Sequence, residues 1–141
     1  MRITSGIATA LLLTACKSAP EPALRQRAWL GGSLSSVQAP DTVRAGMPFS
    51  ATVFAAGSGT IACNRPDEPA IAQGDRLTRV EVFVRIEPGN LTCTRDLRLY
   101  PILVSLVFRS AGVSTIRVIG LSSSVATAPL DSLERRVVVV P

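Results

Sequence analysis

The chain has 141 residues, of which 47% are hydrophobic, 18% charged and 4% aromatic; this is enough for one globular domain and too little for two of ordinary size. The apolar share excludes a solvated coil, and ten glycines and ten prolines among many Val, Thr and Ser residues favour short strands and turns over a helix bundle. Fifteen basic residues against ten acidic ones give a net charge of +5, and the lack of any histidine removes His general bases, Ser-His pairs and His metal ligands.

The first segment carries the most specific local pattern. Met1-Arg2 supplies a positive start, residues 7–13 form a short apolar run, and Leu13-Thr14-Ala15-Cys16 closes it. This succession resembles a bacterial lipoprotein signal peptide, whose lipobox has Leu, a small residue, Gly or Ala, and then Cys. The chemistry accounts for the pattern: small side chains admit the peptidase to the bond before Cys16, and the cysteine thiolate is the nucleophile that accepts the diacylglycerol group. An uncleaved anchor is the competing reading, but the run is far short of the roughly 20 residues that span a hydrocarbon core. A chance cysteine after a secretory leader is the other. The resemblance implies that residues 1–15 are removed and that Cys16, bearing acyl chains such as palmitate, becomes the first residue. Each buried methylene then contributes about 0.8 kcal/mol to a membrane anchor. Loss of Arg2 leaves fourteen basic against ten acidic residues, a net +4. Lys17, where the enterobacterial sorting rule places Asp for inner-membrane retention, implies the outer membrane, with the protein facing the periplasm or the cell surface.

Residues 16–33 mix proline, charge and glycine without a sustained period, which predicts a tether with an r.m.s. span of roughly 20 to 25 Å. Trp29 and Leu30 stand out in it. They are expected either to dock on the domain or to sit among lipid headgroups.

Beyond the tether, apolar and polar residues alternate over short runs separated by turn-forming clusters, the period of half-buried strands. The expected strands are 34–38, a turn and a brief extended piece over 39–46, then 47–55 with Phe49, Ala51, Val53 and Ala55 on one face. Residues 64–74, with Pro66 and Pro69, are expected to be irregular. The clearest strand is 77–87, with Val80, Val82, Val84 and Ile86 on one side and Arg79, Glu81, Arg85 and Glu87 on the other. Strands at 102–109, 113–119 and 133–140 complete the set. Roughly seven short strands without a helix predict two packed sheets, because each sheet has an apolar face to cover.

Residues 34–141 therefore form the expected domain, and from about residue 37 it resembles the bacterial immunoglobulin-like domains of envelope and secreted proteins. The resemblance rests on Ala39-Pro40-Asp41-Thr42-Val43-Arg44-Ala45-Gly46-Met47-Pro48-Phe49, similar to the opening of such modules, and on Ala111-Gly112-Val113-Ser114-Thr115-Ile116-Arg117-Val118, similar to their penultimate strand. It implies an all-β, immunoglobulin-like antiparallel β-sandwich. It also implies a scaffold for spacing, adhesion, or protein and glycan binding, with no catalytic residues.

With Cys16 carrying lipid, Cys63 and Cys93 remain, and an even remainder in an exported chain predicts one disulfide. Closing a thirty-residue loop would contribute roughly 3 to 4 kcal/mol. Two free thiols or half of a metal site are the other readings, and no metal spacing supports the latter. Asp67, Glu68 and Asp75 invite a weak calcium site or plain solvation, with solvation the commoner outcome for scattered surface acids. Phe83 interrupts the charged side of 77–87, and Leu103 and Val107 put apolar groups on the polar side of their strand. These three are the candidate partner-binding residues, unless loops or a second layer cover them.

The two resemblances thus imply a lipid-anchored envelope protein with a non-catalytic binding or structural module, its partners the membrane through Cys16 and an envelope protein or glycan. No cofactor is expected. The scattered arginines lack the interleaved aromatics of a nucleic-acid interface. An accessory subunit of an envelope complex is the alternative, and a carboxylate-dependent hydrolase the more distant one. With no histidine, one lysine and one tyrosine, only acid pairs brought together by folding could carry catalysis.

Overall fold

The computed structural model describes residues 22–31, 35–58, 63–89 and 97–141. Cys16 and Cys93 lie outside the described residues. Nine strands are present among the described residues: β1 (Leu24–Arg27), β2 (Ser36–Gln38), β3 (Thr42–Arg44), β4 (Pro48–Ser58), β5 (Asn64–Gln73), β6 (Leu77–Ile86), β7 (Leu97–Val107), β8 (Gly112–Leu121) and β9 (Leu130–Val140). They make an all-β sandwich.

One layer has the order β1-β6-β8-β9-β3, with β5 also paired to β6, and the other has the order β2-β4-β7. The alternation along each strand dictates the filling. Val80, Val82 and Val84 of β6, Ile116 and Val118 of β8, and Val137 and Val139 of β9 face Ala51, Val53 and Ala55 of β4 and Ile102, Val104 and Leu106 of β7, all buried. Phe49 and Phe108 close one end of this core with their rings 5.6 Å apart. Fully burying a side chain such as Leu106 or Val53 contributes about 1.5–3 kcal/mol, so this double row of aliphatics is the main cohesive term.

The chain changes layers between β2 and β3: β2 pairs antiparallel with β4, and four residues later β3 pairs parallel with β9. β6 also runs parallel to β8, with Leu77 opposite Thr115 and Glu81 opposite Ile119; the remaining pairings are antiparallel. The reason for this second parallel pair lies in the β5–β6 hairpin. β5 contains Pro66 and Pro69, which lack an N–H and suit an edge, whereas β6 is rich in valine and takes the place beside β8. Residues 64–74 are therefore a strand with a register shift between Asp67 and Ala70, not the irregular segment their prolines suggest.

Residues 24–30, expected to lie within a tether over 16–33, belong to the sandwich. β6 and β8 pair only as far as Glu81 and Ile119, and β1 occupies the space beyond, pairing Leu24 with Ile86 and Arg27 with Phe83. The Ala28 N–H donates to the Val82 carbonyl and the Leu121 N–H to the Ala28 carbonyl, each at 2.8 Å. Ala28 and Leu30 are fully buried. At Gly120 an added Cβ would lie 2.6 Å from the Ala28 carbonyl oxygen and 2.7 Å from Leu30 Cγ, so glycine is what admits the N-terminal segment. Trp29 then joins the layers: its carbonyl accepts from the Ala56 N–H at 2.8 Å, while its neighbour Leu30 donates to Leu121.

Candidate functional site

The three candidate partner-binding residues are not brought together. Phe83 lies on the outer face of the β6 layer, and Leu103 and Val107 lie on the outer face of β7 in the other layer. The sequence alternation places each residue on its outer face, but strand alternation does not say which sheet a strand joins.

Phe83 is covered, and by β1. The Arg25 guanidinium sits 3.8 Å from the centre of its ring and that of Arg27 5.9 Å away, a cation–π arrangement across neighbouring strands. Three of the four charged residues expected on this face are matched: Arg27 pairs with Glu81 at 2.8 Å, Arg65 with Glu87 at 2.8 Å and Arg85 with Asp67 at 3.2 Å. Asp67, on β5, also holds Arg25 at 3.1 Å, and so links β5, β6 and β1. The Glu68 backbone N–H donating to Asp67 holds that carboxyl below its usual range; burial opposes this, and Arg85 and Arg25 add to the lowering. Asp75 lies past the far end of β5, some 26 Å along an extended arm, so Asp67, Glu68 and Asp75 do not converge on a cation.

Leu103 is different. It is 73% exposed, in the middle of an outer face that also shows Leu97 and Leu99. β7 ends its layer, with β4 on one side and, among the described residues, no hydrogen-bonded strand on the other, although β5 of the facing layer comes near part of that edge. An edge strand of eleven residues with apolar side chains outward is a surface that natural sheets ordinarily blunt or cover. Pro101, opposite Phe54, is the one residue here that interrupts the row of edge N–H donors. Val107 is half-buried at the far end of the same strand.

A cleft of about 300 Å³ opens where the N-terminal segment crosses between the layers. Trp29, Gln26, Arg27, Asn64 and Ser124 line it together with Cys63. Trp29 docks as one of its two expected placements required, its indole N–H donating to the Ser122 carbonyl at 3.2 Å. Cys63 is buried beside this cleft, at the start of β5. Among the described residues no carboxylate lines it, and Arg27 is the charged side chain there. Sequence reading missed the cleft because it is assembled from the presumed tether and three distant strands. The nearness of Trp29 to Gln26 and Arg27 is the one local signal of it.

Among the described residues no helix is long and apolar enough to cross a membrane, and no group of three or more Cys, Asp or Glu residues could hold a metal ion. Comparison of the chain with known protein families, with curated proteins and with solved structures gives no match.

Proposed function

We propose that the chain is a lipid-anchored protein of the bacterial cell envelope, acylated at Cys16, whose immunoglobulin-like sandwich is a non-catalytic module that binds an envelope protein through β7. One observation carries the binding surface: the exposed Leu103 on an edge strand that lacks a hydrogen-bonded neighbour among the described residues. A strand from another protein laid along β7 would put its alternate side chains over Leu99 and Leu103. This makes the protein an accessory component of a larger assembly. The Cys63–Cys93 disulfide belongs to the same reading, since it follows from export.

A photo-crosslinking residue at position 103, expressed in the native membrane, tests the surface. A discrete crosslinked protein that is lost when the crosslinker is moved to position 138 of β9 is the expected result. Capture of glycan instead, or equal yields at both positions, would replace the protein-binding reading. For the anchor, the intact mass of detergent-extracted protein should lack residues 1–15 and carry acyl chains; an unmodified full-length chain rules it out.

A second reading rests on the cleft at Trp29. An indole ring beside amides and a guanidinium suits the apolar faces and hydroxyls of a sugar, so a glycan is the ligand class for that site.

A further inference from the structure

The strands give the sandwich two distinguishable ends. β1 begins at Leu24, beside Ile86 at the finish of β6 and Asn64 at the start of β5. β4 finishes and β7 starts at this same end, as does the β8–β9 connection that includes Val125. The opposite end carries the turns at 45–47, 74–76 and 108–111 and the C-terminal Pro141. Leu24, Leu97, Leu99, Val125 and Leu130 are exposed at the first end. Arg44, Arg76, Arg109 and Arg136 are exposed at or near the second, against Arg98 at the first, and among the described residues none of these five is ion-paired.

Leu24, the first residue of β1, follows Cys16 by only eight positions. Fully extended, that stretch spans at most about 29 Å, and as a flexible chain roughly 15 Å. β4 and β7, at eleven residues each, make the sandwich about 35 Å long. An anchor at Cys16 therefore cannot let the arginine-bearing end rest on the bilayer while the chain leaves from the other end. The tether is shorter than the body it holds. This geometry decides against the electrostatic preference, in which cationic groups would be drawn to anionic headgroups at about 1 kcal/mol each.

We infer that the end formed by Leu24, the β5 start and the β8–β9 connection is a membrane-facing surface, and that the arginine-bearing end points away from the lipid. The inference rests on acylation at Cys16. It places the Trp29 cleft on the lipid side and the C-terminus on the distal side.

Energy transfer from a single tryptophan to dansyl-labelled headgroups tests this on the full, natively acylated protein in phosphatidylethanolamine–phosphatidylglycerol vesicles. In a Trp29→Phe background, Val125→Trp reports the near end and Met47→Trp the far end; both positions are 59% exposed. Leu130→Trp and Val113→Trp form a second pair should either of the first fail to fold. Transfer is expected to be about fivefold or more greater at position 125, given the ~35 Å between the ends. Inserting about thirty Gly-Ser residues after Pro20 should bring the two values together. Equal transfer, or stronger transfer at position 47, in protein that does sediment with vesicles overturns the orientation and leaves the anchor standing. Protein that fails to sediment, or a Cys16→Ser variant that sediments as well as the parent, overturns the anchor and the orientation with it.

Discussion

Thr78 and Ser114 show how one atom decides what a position contributes. Both are fully buried on the core side of β6 and β8, and neither hydroxyl has a partner among the described residues. A buried hydroxyl without a hydrogen bond costs about 1–3 kcal/mol, whereas an apolar isostere leaves no such debt. Thr78→Val is therefore expected to raise the thermal midpoint, by an amount equivalent to about 1 kcal/mol in a denaturant titration. Asp67 works in the opposite sense. Its carboxylate binds Arg25, Arg85 and the Glu68 N–H, which hold its folded pKa below the unfolded value of about 3.9. The stability it contributes is present above that unfolded value and is lost as pH falls through the lower folded one. Asp67→Asn should cost about 1–2 kcal/mol at neutral pH and much less at pH 2, so that the acid limb of stability against pH becomes shallower. A parallel loss at both pH values would show that the charge of Asp67 is not what stabilises the fold.

Among the elements, the strands that alternation described well are those with four or more apolar residues in phase. β4 and β6 begin within a residue or two of the expected places, and their inward sets are the expected ones. β7 starts earlier than expected, because Leu97 and Leu99 precede Pro101, and proline in a run demotes it unless the strand lies at an edge, as this one does. β5 and β1 were illegible for a shared reason. Each owes its extended form to hydrogen bonds from β6 rather than to an apolar face of its own, and cross-chain pairing of that kind leaves no local period. In β1 and its extension only Ala28 and Leu30 supply the burial. The partner residues were legible singly, as apolar groups on polar faces, but their assignment to separate layers required the strand order. The close fit at Gly120 gives the element-scale prediction. Gly120→Ala must push residues 28–30 off β8, and the variant is expected to lose about 2–4 kcal/mol, comparable to removing Leu30 from the core. Proteolysis should then cut the chain before residue 31 while β2 to β9 persist; an unchanged midpoint would mean that the segment contributes little.

For the whole molecule, the folded unit includes residues from Leu24 onward, ahead of the expected start at 34. A chain starting at Pro22 should unfold in a single transition at the parent midpoint, whereas one starting at Gly31 exposes Leu121, Val82 and Ala56 to water where β1 and its extension had covered their main-chain groups. The shorter chain is expected to melt lower and over a broader range in calorimetry, since both layers lose the segment that connects them. Identical melting of the two would restore the longer tether.

The way β1 is inserted also sets how the protein bears a load. A pull on the chain before Leu24 runs along the axis of β1, and the rungs to β6 and the bonds of Ala28 and Leu30 to Val82 and Leu121 lie across that axis. The force is thus met in shear by all of them at once, with no terminal rung from which to unzip. If the chain is anchored through Cys16 as proposed, tension applied ahead of Leu24 would be resisted collectively.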